Sequence, residues 1–300
     1  MGSTAQRTRS RVKPSTVIAI VIAILGLMCV AYPLVSTLQN NRAASIVADE
    51  MRAETDSLGP DILGKIESDF SQYNDDLKRN PFTPGIPNEL VEAATPDYDR
   101  YLKLGKPEIG EFDSFAEIVI PSVEIRLPIY KGTNDIVLSK GAGHLYGTTL
   151  PIGGEGSNTT ISAHTGMATA TMFDNLINMK NGDDILIHIY GKTLRYRMVD
   201  SKVVPPDSQD AIPAAGESDL DRLFLVTCTP YGLNFNRLVV EAHRIPLDAD
   251  PPINDIDEVT NSIGTWQWWM TVIVIVFVVS MILIVWAVWS ALKASKNRSR

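Results

Sequence analysis

Leu225-Val226-Thr227-Cys228-Thr229-Pro230-Tyr231-Gly232, followed by Arg237, reads as the end of a buried strand that opens into a turn. Upstream, Leu223-Phe224 extends the apolar run; downstream, Arg237 leads into Leu238-Val239-Val240, a second strand. Two neighbouring strands joined by this turn bring Cys228 and Arg237 together. A thiol at a strand mouth has the access a nucleophile needs, and a cation beside it can meet the negative oxygen that nucleophilic attack creates. The only other cysteine, Cys29, lies in an apolar block far from this stretch.

Working outward, the middle of the chain is built of short strands. Val123, Ile125, Leu127 and Ile129 alternate with Glu124, Arg126 and Pro128, predicting a half-buried strand. Thr159-Thr160-Ile161-Ser162-Ala163 predicts a short strand ending at His164. Ile185, Ile187 and Ile189, a turn at Gly191-Lys192, then Leu194, Tyr196 and Met198 predict a hairpin. A loop opened by Pro205-Pro206 runs to Asp221, and the two strands around Cys228 follow. Closely spaced strands with few helices predict a mainly β protein, a closed or nearly closed barrel.

The 300 residues hold two apolar blocks, 16–38 and 266–289. Each is long enough to cross a hydrocarbon core of about 30 Å. Arg7, Arg9, Arg11 and Lys13 precede the first; Lys293, Lys296, Arg298 and Arg300 follow the second. The positive-inside tendency then predicts two cytoplasmic tails with everything between them outside. Of 27 Lys and Arg, eight lie in the tails, whereas all 35 Asp and Glu lie between them, so the outer part carries a formal charge of −16. That excludes the basic face of a nucleic-acid binder. A cleaved signal peptide is disfavoured by the length of the first block and by Tyr32-Pro33 after it. Residues 43–77 predict a docking helix with Ile66, Phe70, Tyr73 and Leu77 on one stripe, broken by Asn80-Pro81-Phe82-Thr83-Pro84-Gly85-Ile86-Pro87.

Among four histidines, His164 stands at a strand end with a flexible Thr165-Gly166 exit, a good place for a general acid or base. His144, in the glycine turn Gly141-Ala142-Gly143-His144, is its rival. His188 and His243 lie inside strands and read as structural. No Cys or His pair stands at metal-ligand spacing, and no glycine-rich phosphate loop is present.

Thr227-Cys228-Thr229-Pro230-Tyr231-Gly232, Asn234 and Arg237-Leu238 resemble the active-site signature of sortases; Ser162-Ala163-His164-Thr165-Gly166 resembles their histidine segment. Gly141-Ala142-Gly143-His144-Leu145, Gly147-Thr148 and Leu150-Pro151-Ile152-Gly153-Gly154 also match. The similarity covers 118–246. Pro230-Tyr231 and the second apolar block are similar to class C, the pilin-polymerising sortases of Gram-positive bacteria.

The resemblance implies a closed eight-stranded β-barrel and a cofactor-free transpeptidase with His164, Cys228 and Arg237 as catalytic residues. Thr227, Thr229, Tyr231 and Asn236 are the substrate-binding candidates. The implied partners are pilins or surface proteins bearing a Leu-Pro-any-Thr-Gly-like signal, an acceptor amine from a pilin lysine or from peptidoglycan, and membrane lipid. Class C members usually carry a lid with an Asp-Pro-aromatic anchor. The nearest candidates here are Asn80-Pro81-Phe82 and Pro96-Asp97-Tyr98, neither in the usual form. The expected organisation is a basic tail (1–15), a membrane span (16–38), a helical linker with a candidate lid (39–114), the catalytic barrel (115–248), a linker (249–265), a second span (266–289) and a basic tail (290–300). A membrane-anchored binding domain with an inert Cys228 is the non-enzymatic alternative.

Overall fold

A computed structural model describes residues 14–81, 97–105, 114–208, 211–253, 255–264 and 266–297. The chain forms two compact units, 1–39 with 266–300, and 40–265. In the first unit, the opening part of helix α1 (Pro14–Ser57) and helix α4 (Trp268–Asn297) carry large apolar side chains in the open, among them Ile22, Leu25, Ile282 and Leu283. A helix that is apolar all round and exposes that surface fits hydrocarbon, not water. Both are long and apolar enough to cross a membrane.

The second unit is a closed barrel. Its strands are β1 (Ser114–Ile120), β2 (Ile125–Lys131), β3 (Ala142–His144), β4 (Asn158–Ser162), β5 (Asp184–Ile189), β6 (Lys192–Val204), β7 (Arg222–Thr229) and β8 (Asn236–Ile245). They close in the order β1-β2-β3-β4-β7-β8-β6-β5. Pairs β2–β3 and β4–β7 are parallel; the other neighbours are antiparallel. Ile118, Ile120, Ile161, Ile185, Ile187, Leu223, Leu225 and Val240 point into one fully buried cluster. The alternate residues of β7, Phe224 and Val226, meet Ala211 and Ile212 from the loop after β6. With both faces covered, β7 reads as a continuous apolar run.

Three details differ from the sequence reading. Residues 43–77 are not one helix: α1 ends at Ser57 and α2 (Pro60–Arg79) starts afresh. Pro60 lacks an N–H, so it suits a first helical position and not a helix interior. The strand predicted from Val123 begins at Ile125, because Pro121–Val123 forms a 3-10 turn. And β2 is not half-buried: Pro128 and Tyr130 on its other face are buried too.

Helices cover that outer face. Arg126 of β2 pairs with Asp49 of α1, and its Nε lies 2.6 Å from Oε1 of Glu117 on β1; Arg52 Nε of α1 lies 3.4 Å from Oε2 of Glu117. Helix α2 inserts Ile66 and Phe70 into the core, Phe70 meeting Tyr190 edge-on with ring centroids 5.2 Å apart. Asn74 on the same face binds both backbone groups of Leu150, at 3.0 and 2.7 Å, as a neighbouring strand would.

Candidate active site

Cys228 and Arg237 are directly opposed in the β7–β8 ladder. Beyond them the chain reverses: the N–H groups of Leu233 and Asn234 both donate to the Pro230 carbonyl at 3.0 Å, and Asn234 sits at φ 59°. The Arg237 Nη1 donates to the carbonyls of Asn234 and Asn236, 3.1 Å each, so the turn itself steadies the guanidinium. Tyr231, Leu233 and Phe235 project from this turn, each more than half exposed.

The parallel pairing of β4 with β7 supplies the third group. Its register sets Ser162 against Val226, and the Ala163 N–H donates to the Val226 carbonyl at 3.3 Å. Two residues further along come His164, just past the end of β4, and Cys228, still within β7. Thr227 locks the strand ends: its hydroxyl donates to the Ala163 carbonyl (2.7 Å) and lies 2.6 Å from the Thr165 hydroxyl. His164, Cys228 and Arg237 thus come to one rim of three adjacent strands, all partly exposed. The two loops at this rim also touch. A Cβ on Gly166 (φ 82°) would stand 3.0 Å from the Gly232 nitrogen, so only glycine permits the approach.

The four substrate-binding candidates separate. Thr229, Tyr231 and Asn236 have exposed surface at the rim; Thr227 is buried and its hydroxyl is bound internally. Of the lid candidates, Asn80 and Tyr98 make their contacts elsewhere, and Phe82 and Pro96 lie outside the described residues. Asn80 caps α2, beside Lys78, whose side chain approaches Gly154 and Gly156, next to the start of β4. Tyr98 opens helix α3 (Tyr98–Lys103) and packs edge-on against Tyr146, with ring centroids 5.3 Å apart. Because β3 runs antiparallel to β4, Tyr146 lies beyond the β3 end remote from the rim.

The other histidines hold structure together. His144 is fully buried; its Nε2–H donates to the Thr149 carbonyl (2.9 Å), which leaves Nδ1 to accept from the Tyr101 hydroxyl (2.7 Å). His188 lies between the hydroxyls of Thr193 (2.9 Å) and Thr260 (3.2 Å), and burial, with Arg52 and Arg126 nearby, pulls it down to about 3. His243 sits 3.0 Å from Glu241. Cys29 and Cys228 are free thiols. Among the described residues no group of three or more His, Cys, Asp or Glu is placed to hold a metal ion.

Burial pulls the His144 imidazole down to about 4. A free histidine titrates near 6.5, so on acidification the unfolded chain takes up this proton first. The contribution of His144 to stability is complete above about pH 6.5 and drains away by about pH 4, roughly 3 kcal/mol in all. Denaturant melts of wild type and His144→Gln, compared at pH 7.5 and 4.5, should show wild type losing the larger share. Equal losses would contradict the neutral buried ring.

One residue at the rim escaped the sequence reading. Asp174 opens the 3-10 turn Asp174–Asn178, and its Oδ1 accepts the Gly166 N–H at 2.7 Å. Burial pushes this carboxyl up to about 6, against the pull of that hydrogen bond. The Tyr231 phenol is pushed up by burial and then by the Asp174 charge. Nothing in the local pattern Phe173-Asp174-Asn175 marks it; only the folded loop brings it to Gly166, two residues after His164.

The sortase domain family model matches residues 118–245. Sortase D of Bacillus subtilis is 32% identical over 144 residues, 47% of this chain and 67% of that protein. Sortase C-1 of Actinomyces oris superposes with a TM-score of 0.55 at 38% identity, covering 62% of this chain and 99% of that one. Sortase A of Corynebacterium diphtheriae gives 0.58 at 34% identity, covering 72% and 98%. The inert binding domain is thereby set aside, and the chain belongs to the sortase family, the cysteine transpeptidases.

Proposed function

We propose that Cys228, His164 and Arg237 carry a transpeptidation that moves the acyl part of a Leu-Pro-any-Thr-Gly-like signal onto a pilin lysine. The observation that carries the catalytic assignment is the meeting of these three residues at the ends of β4, β7 and β8. The Cys228 thiolate attacks the threonine carbonyl, forming a C–S bond and a tetrahedral oxyanion. Arg237, held by its Nη1, turns its remaining N–H donors to that oxygen. As the C–N bond breaks, His164 gives its proton to the departing glycine amine. The acyl group rests on Cys228 as a thioester; the lysine amine then attacks its carbonyl, His164 takes the amine's proton, and the C–S bond breaks to return the Cys228 thiolate as the new amide forms. One hard displacement becomes two easier ones, and no cofactor is required.

Tyr231, Thr229 and Asn236 flank the cysteine and would line the bound signal; Thr227 serves from beneath by fixing the spacing of β4 and β7. What supports a lysine acceptor is Pro230-Tyr231 directly after the cysteine strand, together with the likeness to a sortase C-1 across nearly its whole length. We further propose that the spans near 16–38 and 266–289 hold the catalytic unit on the outer face of a membrane, the basic tails lying inside. The four basic residues in each tail, with no acidic residue among them, favour this topology.

The test uses the full chain in detergent. Incubation with a Leu-Pro-any-Thr-Gly peptide should add the acyl mass to wild type and not to Cys228→Ala. Adding a lysine-bearing pilin fragment or a cross-bridge amine should then release the adduct, faster with the lysine. Release only by the cross-bridge amine would make this a cell-wall-anchoring enzyme. No adduct with several sorting peptides would overturn the assignment of Cys228.

A further inference from the structure

We propose that Asn41 and Asp174 are positioning residues that clasp the loop carrying His164, one from helix α1 and one from the loop's own base. The inference rests on the role given to His164 above.

His164 lies just outside β4, where no ladder bond fixes it. The loop it begins runs to Asp174 and contains Gly166 in the left-handed region. Such a segment wanders unless it is tied, and a catalytic proton donor tolerates little wandering: about 1 Å of misplacement can cost on the order of 100-fold in rate.

Two sets of ties are present. At the base, the Phe173 N–H donates to the His164 carbonyl at 3.0 Å, and the Asp174 Oδ1 accepts the Gly166 N–H at 2.7 Å. The loop is thus closed on itself immediately on either side of Thr165. At the far arm, Asn40 Nδ2 donates to the Thr169 carbonyl at 2.9 Å. Asn41 makes a two-point contact: its Nδ2 donates to the Thr171 hydroxyl at 2.8 Å, and its Oδ1 accepts the Thr171 N–H at 3.2 Å. Asn41 sits at sequence distance 130 from Thr171, on the helix whose later residues Asp49 and Arg52 are ion-paired to the barrel.

A half-buried carboxylate whose proton affinity has been raised is a burden to the fold, and such groups gather at functional sites. Asp174 also lies close enough to the turn after Cys228 to act on Tyr231. It therefore sits between the two loops that Gly166 and Gly232 bring into contact. The catalytic rim is completed by a helix that precedes the barrel by many residues, so that helix does more than link.

Steady-state kinetics on the full chain, with a sorting peptide and an amine acceptor, separates positioning from simple support. Asn41→Ala and Asp174→Ala should each lower kcat by about 10-fold or more while KM moves by less than about 3-fold. Asp174→Asn keeps an oxygen that accepts the Gly166 N–H, so it should recover most of the loss. If folded Asn41→Ala and Asp174→Ala both keep kcat within about 3-fold, or if Asp174→Asn is as slow as the alanine variant, the proposal fails. Should Asp174→Ala not fold, Asn41→Ala, on a separate element, decides the matter by the same criterion. His164→Ala belongs in the series: if it stays active, the role of His164 is wrong, whereas an inactive His164→Ala beside two unimpaired positioning variants refutes the clasp alone.

Discussion

Alanine in place of Arg237 should cut kcat/KM by about 100- to 1,000-fold and leave the barrel folded. The expectation comes from how the guanidinium is held. Its strand position faces Cys228 across the ladder, and two turn carbonyls grip Nη1. The charge is therefore in place before the oxyanion forms, and no reorganisation is spent at the moment of attack. Because Arg237 is partly exposed at a strand end, its removal costs the fold little, within about 0.5 kcal/mol. Arg237→Lys should recover only part of the rate, since an ammonium is a point charge without the planar fork that can serve the carbonyls and the oxyanion together. Single-turnover measurement of acyl-adduct formation is the direct check. An alanine variant that forms the adduct within about 5-fold of the wild-type rate would remove Arg237 from the oxyanion role.

The largest stability effect is expected from Glu117→Ala, about 3–5 kcal/mol of destabilisation. Glu117 is fully buried between Arg126 and Arg52. Burial pushes its carboxyl up, and the two guanidinium groups pull it back. Removing the carboxylate leaves Arg126, itself only 8% exposed, with the largely exposed Asp49 as its remaining partner. For a unit of this size that corresponds to a fall in Tm of roughly 10 °C. Adding Arg126→Leu to Glu117→Ala should restore much of the loss, because a buried pair replaced whole by apolar atoms is often neutral. If the double variant is no more stable than the single, the damage lies elsewhere than in the stranded cation. Glu117 also has a pH signature opposite to that of His144. With a folded pKa above the unfolded one, its contribution is present on the acid side and fades as pH rises through the raised value. Glu117→Gln should flatten that part of the profile.

What the sequence made legible was what neighbours in the chain decide. A strand, a turn and a second strand around Cys228 necessarily oppose it to a residue such as Arg237, and alternating isoleucines announced β5 without help. His144 was ambiguous because a glycine-rich stretch looks like an open turn; the fold makes it a buried strand, sealed by a tyrosine 43 residues earlier. Nothing beside Asn74 or Asn41 in the chain marks either residue. Their amides replace missing backbone partners on distant segments, and such pairing leaves no local trace. Arg126 alternated as an outward residue of a half-buried strand should. Only the arrival of α1 on that face buried it beside Glu117. Asp174 illustrates the same limit at the rim: its carboxylate matters for the backbone it meets, not for the residues beside it.

The parallel pairing of β4 with β7 has a consequence for how this enzyme comes into being. Parallel strands cannot be joined by a tight turn, and here Ala163 meets Thr227 only across 64 residues that contain the whole β5–β6 hairpin. Contacts of such long range form late and slowly, since loop entropy must be lost before they repay it. A growing or half-folded chain therefore holds its thiol and its imidazole apart. On the roles proposed for Cys228 and His164, chemical competence would arrive only with closure of the barrel.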